Sequence, residues 1–139
     1  MRLNDDPRAD WRPKLRGPWV PTPTIMVVDD EAEVGRVLRD ILESAGYFVI
    51  PTSRPCETLG LATSLSRNID LLLTDVVMPL MDGRELAQRM LAIRPDIKIV
   101  LMSGHDVSGI AATGWVFIKK PFGSEALKCT IADTLSARS

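Results

Sequence analysis

The feature that most limits what this chain can fold into begins at Thr24, where short apolar runs start to alternate with longer amphipathic stretches. Five runs have the length and composition of strands: residues 25–28, 47–50, 71–74, 97–102 and 116–118. Each is apolar at consecutive positions rather than at every second one, so both faces of the sheet they form must be covered. Helical crossovers between parallel strands provide that cover. The expected fold class is α/β, a doubly wound five-stranded parallel sheet.

The stretches between the runs have helical spacing. Val34, Val37, Leu38, Ile41, Leu42 and Ala45 form one stripe, and Gly46 supplies the left-handed residue that ends that helix. A second helix is expected over residues 57–66, with Leu59, Ala62 and Leu65 inward. A third starts near Asp82 and buries Leu86, Met90 and Ile93 before Pro95 stops it, with Asp82 and Gly83 read as its cap and turn. The last carries Leu127, Ile131 and Leu135. Between Ser103 and Val116, however, Gly104, Gly109 and Gly114 intervene, and a glycine costs about 1 kcal/mol in a helix interior. A fourth helix there is expected to be shortened to residues 107–113 or replaced by irregular backbone.

Residues 1–23 break the pattern. Pro7, Pro13, Pro18, Pro21 and Pro23 are spread among Arg2, Arg8, Arg12, Lys14 and Arg16 without periodicity, which reads as a tail or linker. Trp11 and Trp19 within it are amphipathic rings suited to docking on the domain or on a partner. Residues 24–139 then form one domain, with no room for a second. A formal net charge of −1 argues against indiscriminate nucleic-acid binding. The opening MRLNDDPRAD is too acidic for a signal peptide, and no apolar run approaches the roughly 20 residues of a membrane span, so a cytoplasmic location is expected. Cys56 and Cys129 have neither metal-site spacing nor disulfide-framework numbers and read as reduced, small packing residues. The methionines read as core filler.

The chemistry sits where the strands end. In an open parallel sheet, ligands gather outside the carboxyl ends of the strands, near the point where strand order reverses. The first run ends in Asp29 and Asp30, the third in Asp75, the fourth in Ser103, and the fifth in Lys119 and Lys120. The second, ending at Pro51 and Thr52, offers no such group. Adjacent carboxylates at the end of a core strand are costly unless something neutralises them. A hard divalent cation with oxygen ligands, Mg2+, would do so from one side and a lysine from the other. Strand alternation lets only one of Lys119 and Lys120 face the acids. With one carboxylate as nucleophile, such a site suits in-line phosphoryl transfer to Asp, giving an acyl phosphate.

Four segments carry a resemblance. VVDDE, LLLTDVVMPLMDGREL, IVLMSG and KKPF, in that order, resemble the signatures of the response-regulator receiver domain of two-component signalling, a CheY-like, flavodoxin-like fold. The resemblance covers residues 24–136 and implies a sheet in the order 2-1-3-4-5. It implies that Asp75 accepts a phosphoryl group from a histidine kinase or a histidine phosphotransfer protein. It also implies that Asp30, Asp75 and the backbone carbonyl of Val77 ligate Mg2+, with Asp29 acting through water. Lys120 would pair with the phosphoryl oxygens, with a cis bond to Pro121. Ser103 would donate its hydroxyl to the phosphate after transfer, and the ring of Phe117 would follow. LLLTDVVMPLMDGREL is also similar to receivers fused to the C-termini of hybrid kinases.

Three departures from the family pattern bear on mechanism. Val77 stands where many receivers carry a polar residue, and His105 occupies the other position flanking the attacking water; both would modulate hydrolysis of the acyl phosphate. The shrunken fourth connection removes part of a face that commonly meets partners or a second copy, so a homodimer is left open. Other readings of the same residues exist. Asp29 and Asp30 also fit a helix N-cap and first-turn acid, Asp75 a turn residue, Ser103 a surface hydroxyl, Phe117 plain core, and His105 an exposed loop histidine. The leading expectation is a phosphoacceptor receiver whose output is an unidentified downstream protein. The alternative is a receiver-like module that binds proteins independently of phosphorylation. A Mg2+-dependent phosphatase with an Asp nucleophile would carry D-x-D after its first strand, whereas here the acids are adjacent.

Overall fold

Parallel strands fed by helices on both sides need apolar residues at every strand position, and the chain meets that demand. A computed structural model describes residues 22–104 and 114–137. Its elements are β1 (Thr24–Val28), α1 (Ala32–Ser44), β2 (Phe48–Thr52), α2 (Pro55–Ser64), β3 (Leu71–Asp75), α3 (Gly83–Ile93), β4 (Lys98–Ser103), β5 (Val116–Lys119) and α4 (Ser124–Ser136). The sheet is wholly parallel, in the order β2-β1-β3-β4-β5. The expected short helix at residues 107–113 lies outside the described residues, as do residues 1–21 of the tail.

Alternation along the strands splits the core in two. Met26, Val28, Leu72, Ile99 and Leu101 pack on one face against Ala62 of α2 and Leu86, Ala87 and Met90 of α3. Ile25, Val27, Leu71, Leu73, Val100, Met102 and Ile118 pack on the other against Leu38 and Leu42 of α1 and Leu127 and Ile131 of α4. Truncating a fully buried member such as Leu73 to alanine would cost about 2–5 kcal/mol, through lost transfer energy and the cavity left behind.

Several local details follow from the chemistry of the ends. Gly46 has φ of 99° and donates its amide to the Glu43 carbonyl, so a left-handed glycine closes α1 as its position suggested. Asp82 caps α3 by accepting from the Arg84 amide at 2.6 Å. Arg94 closes α2 from outside, donating to the carbonyls of Ala62, Leu65 and Arg67. The second helix begins earlier than residue 57, because Pro55 has the fixed φ and missing N–H that suit a first helical position.

Some expectations about burial are corrected. Val37 is 57% exposed and Ile93 37% exposed, so the apolar stripes of α1 and α3 are wider than the surfaces they cover. Leu135 and Leu59 only edge the core rather than filling it. Cys56 and Cys129 are both exposed thiols, not packing residues, because they fall on the solvent sides of α2 and α4.

Candidate functional site

Strand order places the site. β1 and β3 are neighbours, while the chain leaves β1 toward β2 on one side and β3 toward β4 on the other, so a crevice opens at their carboxyl ends. Val28 stands level with Thr74 in the ladder, which sets Asp29 and Asp30 beside Asp75. One oxygen from each of these three carboxylates lies within 4.8 Å of the others.

Asp29 is fully buried, and its amide and both carboxylate oxygens are engaged. Its amide donates to the Thr52 carbonyl at 3.3 Å, its Oδ1 accepts the Glu31 amide at 2.9 Å, and its Oδ2 accepts from Lys120 Nζ at 3.4 Å. The N-cap position of α1 belongs to Glu31, so the helix-cap reading of the two acids does not describe them. Asp30 is exposed at the mouth. Asp75 Oδ2 accepts from Lys120 Nζ at 3.2 Å. Lys120 follows β5, with its amide donating to the Ser103 carbonyl at 2.9 Å, and its long stem carries the ammonium past the end of β4 to both acids. Lys119, one residue earlier, is exposed, as alternation requires. The Lys120–Pro121 peptide is cis.

The charges do not balance. Among the described residues three carboxylates face one ammonium, and the pKa values of the groups shift accordingly. Burial raises the Asp75 pKa; Lys120 pulls it down, but Asp29 and Asp30 push it further up, and the upward influences win. Burial alone would lower the Lys120 pKa, yet the Asp29 and Asp75 carboxylates beside it raise it, so the ammonium holds its proton more tightly than usual. An ordinary ion pair lowers its acid while raising its base. Here both partners rise: burial and the neighbouring acids outweigh Lys120 at Asp75, while the two carboxylates outweigh burial at Lys120. Among the described residues the donors are oxygens alone, which select a hard divalent cation over zinc. The residues present therefore fit Mg2+.

The remaining sequence candidates surround this centre. Ser103 ends β4 almost fully buried, level with Lys119 in the ladder and one strand away from Asp75. Phe117 is half-buried on β5 against the α2–α3 side of the core. Val77 is 59% exposed just after Asp75. His105 lies outside the described residues.

Two contributors were not found by reading the sequence for function. Thr52, at the strand end that offered no chemical group, anchors Asp29 through its backbone carbonyl, and its hydroxyl shares a 2.6 Å hydrogen bond with that of Thr58. A backbone acceptor leaves no mark in residue identity. Gly83 abuts the Asp75 carbonyl, and the only hint was a glycine at a helix start, where a cap explanation sufficed.

Comparison with known proteins agrees with this geometry. Residues 25–132 match the response regulator receiver domain family. The chain is 32% identical over 117 residues to the sensor kinase CckA of Brucella abortus, covering 81% of this chain and 12% of that protein. It is 39% identical over 80 residues to the response regulator receiver protein CpdR of the same organism, covering 58% of this chain and 65% of that one. The chain thus spans only a part of these curated relatives. Among solved structures, a response regulator receiver protein from Sinorhizobium medicae superimposes with a TM-score of 0.76 at 30% identity, covering 85% of this chain and 98% of that one. The receiver domain of the hybrid histidine kinase CckA does so with a TM-score of 0.71 at 29% identity, covering 81% and 99%. With a match that runs from β1 into α4 and a crevice built as the topology requires, the chain belongs to the response regulator receiver domain family of two-component signalling.

Proposed function

We propose that this receiver accepts a phosphoryl group on Asp75 from a histidine kinase or histidine phosphotransfer protein, in a Mg2+-dependent reaction that switches its binding to a downstream protein. The observation that carries this reading is the meeting of three carboxylates and one ammonium at the ends of β1, β3 and β5. Asp30, Asp75 and the Val77 carbonyl would hold Mg2+, with Asp29 acting through water. When bound, Mg2+ would neutralise charge on the phosphoryl oxygens. The Asp75 carboxylate attacks phosphorus in line; the phosphorus–nitrogen bond to the donor histidine breaks, and the imidazole leaves with the electron pair and takes a proton from solvent. The Lys120 ammonium, already 3.2 Å from Asp75, takes up charge on the transferred group.

After transfer, the Ser103 hydroxyl donates to a phosphoryl oxygen and Phe117 repacks with that movement, biasing a two-state equilibrium that partners read. Val77, apolar and exposed beside the acceptor, cannot orient an attacking water, and His105 modulates the same step. The exposed Val77 and Leu80 lie in the loop that a phosphodonor protein must cover to reach Asp75. Residues 1–23 act as a proline-rich tail and residues 24–139 as the receiver, working in the cytoplasm.

Incubation with Mg2+ and phosphoramidate tests the reading. Intact mass should show one added phosphoryl group on the wild type and none on Asp75→Asn. A wild type that gains nothing under these conditions would favour the phosphorylation-independent binding module.

A further inference from the structure

The loop that follows the acceptor is tied at its neck by two backbone hydrogen bonds. Val76 donates its amide to the Met102 carbonyl at 2.9 Å, fixing it to β4, and accepts the Gly83 amide on its own carbonyl at 2.8 Å, fixing it to the first residue of α3. Gly83 is seated so tightly there that an added Cβ would fall inside the van der Waals surface of the Asp75 carbonyl oxygen, and would lie 3.0 Å from both the Asp75 carbonyl carbon and the Val76 Cα. The obstacle is main chain, which cannot swing aside as a side chain would. The positive-φ glycines among the described residues are Gly46 and Gly114, so what position 83 requires is space and not an unusual backbone angle.

We infer that Gly83 is a positioning residue for the site: its missing side chain lets the start of α3 press on the Asp75 carbonyl and so sets where the Asp75 carboxylate and the Val77 carbonyl stand relative to Lys120 and Asp29. The phosphorylation part of this inference rests on the function proposed above. Any side chain at position 83 must drive the helix start and the acceptor backbone apart by on the order of 1 Å to regain normal contact. Asp75 shares its ammonium with Asp29 at 3.2 and 3.4 Å, so a shift of that size breaks the shared geometry. By contrast, an added Cβ at Gly60, inside α2, meets nothing within 4 Å.

The test compares Gly83→Ala, Gly60→Ala and Asp82→Ala, the last removing the cap of the same helix without adding an atom beside Asp75. Mg2+ affinity is measured by titration, phosphorylation rate with phosphoramidate at saturating Mg2+, and folded fraction by urea unfolding. Gly83→Ala should bind Mg2+ about tenfold more weakly, as when a metal ligand loses its support. Its phosphorylation should be about tenfold to a hundredfold slower at saturating Mg2+, the scale of a 1 Å misplacement. Asp82→Ala and Gly60→Ala should keep wild-type values for both. If Gly83→Ala is poorly folded, the Gly35→Ala/Gly83→Ala double variant supplies a stabilised background. Wild-type Mg2+ affinity and rate in folded Gly83→Ala would overturn the inference, as would failure of both variants to fold, since Gly83 would then be a determinant of the fold alone. If the wild type binds Mg2+ but takes no phosphoryl group, the proposed function fails, while the Mg2+ titration still decides this inference.

Discussion

Replacing Lys120 with methionine, which keeps the stem and removes the charge, should destabilise the metal-free protein and make it unusually responsive to Mg2+. The ammonium stands 3.4 Å from Asp29 and 3.2 Å from Asp75, and each attraction is about 5 kcal/mol at an effective dielectric constant of 20. Much of this is offset by the desolvation of all three groups. Removing one partner of a fully buried pair costs about 3–5 kcal/mol. Because the Lys120 side chain is 29% exposed, the expected loss is smaller, about 2–3 kcal/mol. The acids then lose the ammonium they share, so a divalent cation should bind Lys120→Met more tightly than the wild type. At free Mg2+ near 20 times its Kd, binding returns about 1.8 kcal/mol of stability. Urea unfolding at neutral pH, with and without Mg2+, measures both effects. A Lys120→Met midpoint within error of wild type in chelator, or an equal Mg2+ response in the two proteins, would refute the electrostatic reasoning.

Three further outcomes follow from particular residues. Because burial raises the Asp75 pKa, the folded protein holds that proton more tightly than the unfolded chain; the resulting stability is full below the unfolded value of 3.8 and is lost as pH rises through the folded value. Asp75→Asn should therefore stabilise the metal-free protein at neutral pH by on the order of 1 kcal/mol, with the gain vanishing in acid, as read by urea midpoints across pH. Leu80 has φ of 75° and is 95% exposed, so it bears left-handed strain with no burial in return; Leu80→Asn should raise stability by up to about 1 kcal/mol in the same assay. Gly35 lies within α1 and an added Cβ there meets nothing within 4 Å, so Gly35→Ala should add about 0.4–1 kcal/mol, seen as a higher thermal midpoint.

Much of the architecture was legible because burial on both faces leaves a coarse mark. Strands such as LLLT and IVLM are apolar at successive positions only when helices cover both sides, and that pattern led to the fold class and, with the receiver signatures, to the strand order. The candidate residues were legible for a related reason: an acid, a hydroxyl or a lysine that ends an apolar run must emerge at the same edge of a parallel sheet. Less legible was whatever depends on the surface an element meets. Val37 and Ile93 belong to apolar stripes yet are exposed, because among the described residues no neighbour reaches that far around α1 or α3. The hold of Thr52 on Asp29 runs through main chain, and the pressure of Gly83 on Asp75 is a distance between elements far from any sequence pattern. The split between Asp29 and Asp30, one sealed and one exposed, also had to come from coordinates, since adjacent identical residues carry no sign of which turns inward.

The most direct examination of the central claim is to find the phosphorylated atom. Wild-type protein treated with phosphoramidate and Mg2+, then reduced with borohydride, should yield a peptide in which Asp75 has become homoserine, the product expected from an aspartyl phosphate. The conversion should disappear when Mg2+ is chelated. Homoserine at Asp29 or Asp30, or none at all from a folded, Mg2+-loaded protein, would contradict the account.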